Sequence, residues 1–252
     1  MTTTGSNIAK NGFRNEDEII GKFNDWAKDE DAQAWLVKMG YDLGKIEYVK
    51  AEKIKGTYKS DINVLVQVKL RKLLNAENIQ VKLVSNKKGF NQTDKRWVST
   101  YREMWHIPAR VFELLEYFTG SKPPYRKDIR DEEKRRMFIT GFEDEDQKLL
   151  VSWFQKNLIL VVTDVIKGRG QFCAEWILVA QKTDRDARWV LININEAIQH
   201  YFGDGRVSVT KQGSLRLGNV TLQRKGGDGG KESANMLQFK VDPTELFEME
   251  SH

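Results

Sequence analysis

The chain has 252 residues, 31% charged and 40% hydrophobic, which suits one medium domain or two small ones with a buried core and is too apolar for bulk disorder. No apolar run exceeds Leu158 to Val162 and the opening MTTTGSN has no cationic start before an apolar stretch, so neither a membrane helix nor a signal peptide is expected, and a reducing cytoplasm is the plain location. One cysteine, Cys173, and three scattered histidines, His106, His200 and His252, exclude a disulfide framework and Cys- or His-rich metal chemistry, while the net charge of +5 is mild in itself.

Ile19, Ile20, Phe23 and Trp26 recur at helical spacing, with Asn15 as the expected N-cap and Glu16, Asp17 and Glu18 in the first turn. A second helix is predicted from Ala32 to Met39, stopped by Gly40. Strands follow at Ile46 to Ile54, Ile62 to Val68 and Ile79 to Val84, the last two with alternating apolar residues. Helical patterns return over Val98 to Phe118 and Asp131 to Asn157, with Pro123 and Pro124 in the connector between them. From Leu158 the chain reads as mostly β: Leu158 to Val162, Phe172 to Ala180, Trp189 to Ile192, Val207 to Thr210, Val220 to Gln223 and Met236 to Val241, with a short helix near Glu196 to Tyr201. The expected architecture is α/β: a mixed sheet with helices on its faces and a β-rich, basic C-terminal third. The expected organisation is a single domain over 1–252, with a core at about 8–120, a helical segment at about 121–157 and a β-rich region at about 158–245.

The charge is unevenly spread. Residues 1–55 carry nine Lys/Arg against ten Asp/Glu, whereas 206–231 carry six against Asp228 alone, and 87–96 and 122–136 are also basic. Any one such run reads as a solvated face; three together favour a polyanionic partner. Eight of the nineteen glycines fall between Gly203 and Gly230, marking a loop-rich region where a backbone can approach a ligand closely.

Asp61 stands at the mouth of a predicted strand, and 18 residues separate it from Gln80, Val81 and Lys82. Strand alternation puts Gln80 and Lys82 on one face and Ile79, Val81 and Leu83 on the other. Paired as a hairpin, the two strands would set these polar side chains beside Asp61. The Asp61 carboxylate, the Gln80 amide oxygen and the Val81 carbonyl are hard donors suited to Mg²⁺, and Lys82 would face a scissile phosphate and its attacking water. On spacing alone, the same residues also fit the polar side of an ordinary half-buried hairpin.

The strings Tyr58-Lys59-Ser60-Asp61-Ile62-Asn63, Asn78-Ile79-Gln80-Val81-Lys82 running on to Gly89-Phe90-Asn91-Gln92, Gln223-Arg224-Lys225-Gly226-Gly227-Asp228 and Leu237-Gln238-Phe239-Lys240 are more specific. Together they resemble the type II restriction endonucleases of the PD-(D/E)xK superfamily, and within it the small GCGC-cutting enzymes of the HinP-one-I type. That resemblance runs from about Asn11 to Leu246. It implies a bacterial, cytoplasmic, Mg²⁺-dependent endonuclease that cuts double-stranded GCGC after the first G and leaves 5′-phosphate and 3′-hydroxyl ends. Asp61, Gln80 and Lys82 fall on the family's catalytic motif, with Gln80 where the superfamily usually has an acid. Glu16 matches the acid that many members place near the metal, although an ordinary first-turn acid reads the same way.

For DNA contact, Lys87, Lys88, Phe90, Asn91, Gln92, Asp94 and Lys95 form a predicted groove-entering loop, in which Lys suits guanine, amides bridge base edges and Asp accepts from cytosine N4. Phe90 reads as an intercalating wedge, a role the resemblance supports, or as a loop residue tucked against the core. Gln223, Arg224, Lys225, Asp228 and Lys240 form a second reading element, and Arg169 in Lys167-Gly168-Arg169-Gly170 a phosphate clamp. No GxGxxG or Walker signature occurs, so ATP is not expected. A palindromic target admits a homodimer as well as a monomer, and a cognate cytosine or adenine methyltransferase is the implied genetic partner. The rival readings are a non-catalytic DNA-binding module and an RNA or repair nuclease of the same superfamily.

Overall fold

The structure is a computed structural model that describes residues 4–56, 60–68, 73–85, 89–126, 135–183, 187–225 and 231–249, with backbone alone at 4–13, 65–68 and 73–76. In chain order the elements are α1 (Thr4–Asn24), α2 (Glu30–Lys38), β1 (Ile46–Lys53), β2 (Ile62–Val68), β3 (Leu73–Val84), β4 (Asn91–Arg96), α3 (Val98–Trp105), α4 (Ala109–Thr119), α5 (Asp144–Lys156), α6 (Leu158–Ile166), β5 (Trp176–Lys182), β6 (Ala187–Asn193), α7 (Ile194–Phe202), β7 (Val207–Val209), β8 (Leu215–Leu217), β9 (Val220–Arg224), β10 (Leu237–Val241) and α8 (Leu246–Met249). The chain clusters into two compact units, one built from 1–89, 167–197 and 242–252, the other from 90–166 and 198–241.

The first unit holds a mixed sheet of order β1-β2-β3-β5-β6, as the sequence predicts for the fold class. Only β3 and β5 run parallel; the other pairs are antiparallel. Ile62 and Val64 of β2 and Ile79 of β3 point to one face, where Ile19 and Phe23 of α1 and Trp35 and Leu36 of α2 bury them. Asp29 caps α2 by accepting the Ala32 N–H at 2.9 Å, and Gly40 ends it with φ 90°, a conformation that suits glycine. The turn Pro243–Glu245 packs against β3 and β5, and the Arg188 guanidinium lies 4.1 Å from the Phe247 ring centre.

The second unit holds an antiparallel sheet of order β4-β10-β9-β8-β7. Phe239 of β10 meets Tyr101 and Trp105 of α3 at ring distances of 5.4 and 5.8 Å. The Trp105 indole N–H donates to Asp164 at 2.7 Å and the Thr93 hydroxyl to the Val165 carbonyl at 3.1 Å, tying α6 beneath β4.

Several expectations are corrected. Asn15 does not cap α1: the helix starts at Thr4, and Asn15 is buried in its interior. Leu158 to Val162 is helix, not strand. A short apolar run cannot be told from a buried helix by periodicity alone, and here Leu158, Val161, Val162, Val165 and Ile166 form a helical stripe that is buried throughout. The pattern over Val98 to Phe118 is two helices, broken where His106 takes φ 51° and Pro108 starts the next. Helix α5 begins only at Asp144; in the predicted stretch before it, residues 131–134 lie outside the described residues, while Met137 and Ile139 spend their N–H groups on the carbonyls of Tyr117 and Gly213. The strand expected from Phe172 starts at Trp176, after a turn in which Gly168 and Gly170 have positive φ. Asn91 to Arg96, read as loop, is strand β4, and β8 was not anticipated.

Candidate active site

Asp61 sits one residue before β2 and is pinned on both sides by backbone bonds, its N–H donating to Ile79 O and its carbonyl accepting from Ile54 N–H, each at 3.0 Å. The β2–β3 register pairs Ile62 with Ile79, so Asp61 stands opposite Gln80. Its Oδ2 accepts the Val81 N–H at 2.7 Å, which fixes the carboxylate against β3. Gln80 is only 2% exposed, and Lys82, two residues on and therefore on the same strand face, is half-buried. Ile79 points the other way into the core. The hairpin expected from the sequence is thus formed, and it brings Asp61, Gln80, Val81 and Lys82 together.

Glu16 joins them from α1. Burial lifts its carboxyl above the ordinary value and the negative charge of Asp61 lifts it further, while Lys53 opposes both. Lys53 Nζ lies 3.4 Å from Glu16 and 2.9 Å from Asp17. A carboxyl whose proton is held more tightly by burial and by a neighbouring negative charge marks a spot ready to take positive charge. Among the described residues no three His, Cys, Asp or Glu side chains converge on a metal-sized site. The donors on hand are two acids, one buried amide and one backbone carbonyl, which fit a hard cation that keeps much of its water.

The residues expected to touch DNA divide between the units. Arg169 is exposed on its glycine turn in the first. In the second, Phe90 is 64% exposed just ahead of β4, with Asn91 half-buried and Gln92 exposed. The register sets Lys95, Gln238 and Gln223 in one cross-strand row and Gln92, Lys240 and Thr221 in another, on the face of the sheet away from Phe239. Gln238 was not anticipated as part of this face, although alternation with the apolar Leu237 and Phe239 signals it; its amide donates to Arg224 O at 3.3 Å. The Arg224 guanidinium lies 3.9 Å from the Phe138 ring centre, and the Lys225 carbonyl accepts from Arg136 at 2.7 Å.

Asp94 is revised: it faces the Phe239 side, where the Tyr101 hydroxyl donates to it and Arg96 pairs with it at 3.1 Å, so it organises neighbours rather than pointing with Lys95. Lys87, Lys88 and Asp228 lie outside the described residues. No single helix among the described residues is long and apolar enough to cross a membrane.

No curated protein matches the chain. In fold it is similar to a crystal structure of restriction endonuclease MspI in complex with its cognate DNA, with a TM-score of 0.67 at 14% identity, covering 95% of this chain and 93% of that one. The profile of the R.HinP1I restriction endonuclease family matches residues 39–247, a span that contains the hairpin of Asp61, Gln80 and Lys82, and the chain belongs to that family.

Proposed function

We propose that this restriction endonuclease hydrolyses double-stranded DNA at GCGC, cutting after the first G to leave 5′-phosphate and 3′-hydroxyl ends, with Mg²⁺ as cofactor. The observation that carries the reading is the meeting of Asp61, Gln80 and Lys82 on one face of a pinned hairpin, with Glu16 electrostatically coupled to Asp61. Asp61, the Gln80 amide oxygen and the Val81 carbonyl would hold the cation. When bound, such an ion supplies Lewis acidity at the phosphoryl oxygen and lowers the pKa of water. Lys82 brings positive charge to the scissile phosphate and orients the attacking water. Glu16 accepts a proton or a hydrogen bond beside Asp61. Because Gln80 is neutral, the donor set carries less negative charge than two strand carboxylates would, and its Mg²⁺ affinity is expected to be lower.

In this reading the first unit carries the chemistry and the second reads sequence. Gln92, Lys95, Gln223 and Lys240 offer the donors and acceptors that G and C edges require, and Arg224 and Lys225 add positive charge for phosphates. Phe90 is exposed enough to act as a wedge at a base step. A methyltransferase acting on the same site would protect the host genome.

The test is a digest of paired duplexes that differ only at one GCGC, in Mg²⁺, with the ends mapped to single nucleotides. Cutting confined to the GCGC duplex after its first G is expected, lost in Lys82→Ala with binding retained. Uniform degradation of both duplexes, or full activity of Lys82→Ala, would remove the proposal.

A further inference from the structure

Asn15 occupies the stripe of α1 that continues with Ile19 and Phe23, both completely buried in the core of the first unit. It is itself 2% exposed, and among the described residues neither its amide oxygen nor its amide nitrogen has a hydrogen-bond partner. The Ser60 hydroxyl is in the same condition, 2% exposed and unpartnered. Native interiors pair nearly all buried polar groups, because an unmade hydrogen bond leaves the whole desolvation cost in place. For the fold alone, leucine would serve better at a buried position of the Ile19–Phe23 stripe.

Among the described buried side chains with an unsatisfied polar atom, these two adjoin the site carboxylates in sequence. Asn15 directly precedes Glu16 and Ser60 directly precedes Asp61, the two carboxylates whose charges are coupled. A small cation that keeps several of its waters needs acceptors and donors for those waters beyond its own ligands, and such outer partners orient the ligands as well. We infer that Asn15 is a positioning residue of the cleavage site: its carboxamide, assisted by the Ser60 hydroxyl, hydrogen-bonds water that enters with the divalent cation and so steadies Glu16 and Asp61. This rests on the metal-dependent reading above. It explains why a helix-interior position that the packing would give to a hydrocarbon carries an amide.

The experiment compares the full chain with Asn15→Leu. Thermal unfolding is followed in EDTA, Ca²⁺ binding is measured by calorimetry, and GCGC cleavage is titrated with Mg²⁺. Asn15→Leu is expected to unfold in EDTA at the wild-type temperature or above it, to bind Ca²⁺ about tenfold or more weakly, and to shift the Mg²⁺ half-saturation of cleavage by a similar factor. An unfolding temperature well below wild type with unchanged Ca²⁺ affinity would make Asn15 a structural residue and overturn the inference. If Asn15→Leu does not fold, Asn15→Ser is measured the same way, and unchanged Ca²⁺ affinity in it overturns the inference. Wild-type protein that binds Ca²⁺ yet cuts no GCGC duplex would refute the proposed GCGC cleavage alone, since the Ca²⁺ arm still decides the role of Asn15; wild-type protein that binds no Ca²⁺ would refute this inference.

Discussion

Gln80→Glu tests the geometry of the site most directly, because it adds one charge without changing the shape of the side chain. Gln80 is 2% exposed and stands opposite Asp61, one step beyond the Ile62–Ile79 pair. Directly opposed side chains in an antiparallel pair lie about 5 Å apart at Cβ. Two unit charges about 5 Å apart in an effective dielectric of about 20 repel by about 3 kcal/mol, and Glu16 adds to the same field. In EDTA the variant should therefore lose about 3 kcal/mol, which lowers Tm by about 6–12 °C for a chain of this size. A divalent cation reverses the sign, since three carboxylates now surround it. Recovering about 3 kcal/mol on binding corresponds to about hundredfold tighter Ca²⁺. Thermal unfolding of both proteins in EDTA and across a Ca²⁺ series reads both effects, and the variant's Tm should rise more steeply and close on the wild-type curve. Equal stability in EDTA together with equal Ca²⁺ dependence would refute the arrangement of Asp61, Gln80 and Glu16 around one point.

Tyr101→Phe keeps the ring that stacks on Trp105 at 4.6 Å but removes the hydroxyl that donates to buried Asp94. Burial, with the charge of Asp94, holds the phenol protonated far above its ordinary range. The variant should lose about 1.5–3 kcal/mol by denaturant unfolding at every pH from neutral to alkaline, and a loss under about 0.5 kcal/mol would show that the bond contributes nothing. Glu113 is held down to about 2 by Lys122, Arg110 and Tyr117, below the ordinary 4.5 of the unfolded chain. Its contribution is complete above about pH 4.5 and is lost as pH falls toward about 2, so Glu113→Gln should flatten the acid limb of the stability curve, and parallel limbs would count against the cluster. Phe90→Ala should leave unfolding within about 0.5 kcal/mol of wild type, as expected for a 64% exposed side chain, while weakening binding to a GCGC duplex; unchanged binding would remove the wedge.

The geometry of the candidate site was legible where alternation and turn chemistry agree. Ile62 and Val64 on one strand and Ile79 on the next share a buried face, and that alone fixes Gln80 and Lys82 on the other. What the local pattern could not carry is the identity of distant partners. Leu158 to Ile166 has the composition of a strand, and only its burial at helical spacing, with Asp164 taking the Trp105 indole, makes it a helix. Asp94 reads as a DNA contact beside Lys95, yet it is committed to Tyr101 seven residues later, across an element boundary that the sequence does not mark. Asn15 reads as a cap because it precedes three acids, and nothing local reveals that the helix begins eleven residues earlier and that Asn15 is buried within it.

In the proposed division of labour the two sheets differ in how they hold their polar side chains. Strand β3 lies in the middle of its sheet, hydrogen-bonded to β2 and β5, with α1 on one face and the Pro243–Glu245 turn also packed against it. Its backbone is hydrogen-bonded along both edges, and the buried Gln80 side chain sits in a setting of low dielectric where a charge difference is worth most. Strand β10 lies between β4 and β9 in the other sheet, but only Leu237, Phe239 and Val241 face its apolar core, while Gln238 and Lys240 alternate onto a polar face shared with Gln92, Lys95 and Gln223. In the proposed reading this face, on which Gln238 is buried and Lys95, Gln223 and Lys240 are half-buried, would offer amide and ammonium groups at fixed strand spacing to base edges. The basic excess of 206–231 falls on and around that sheet. Added salt should accordingly weaken DNA binding through charges on the second unit, as counterions are displaced from the phosphates, while in the proposed mechanism the divalent-ion requirement would be set by Asp61, Gln80 and Glu16.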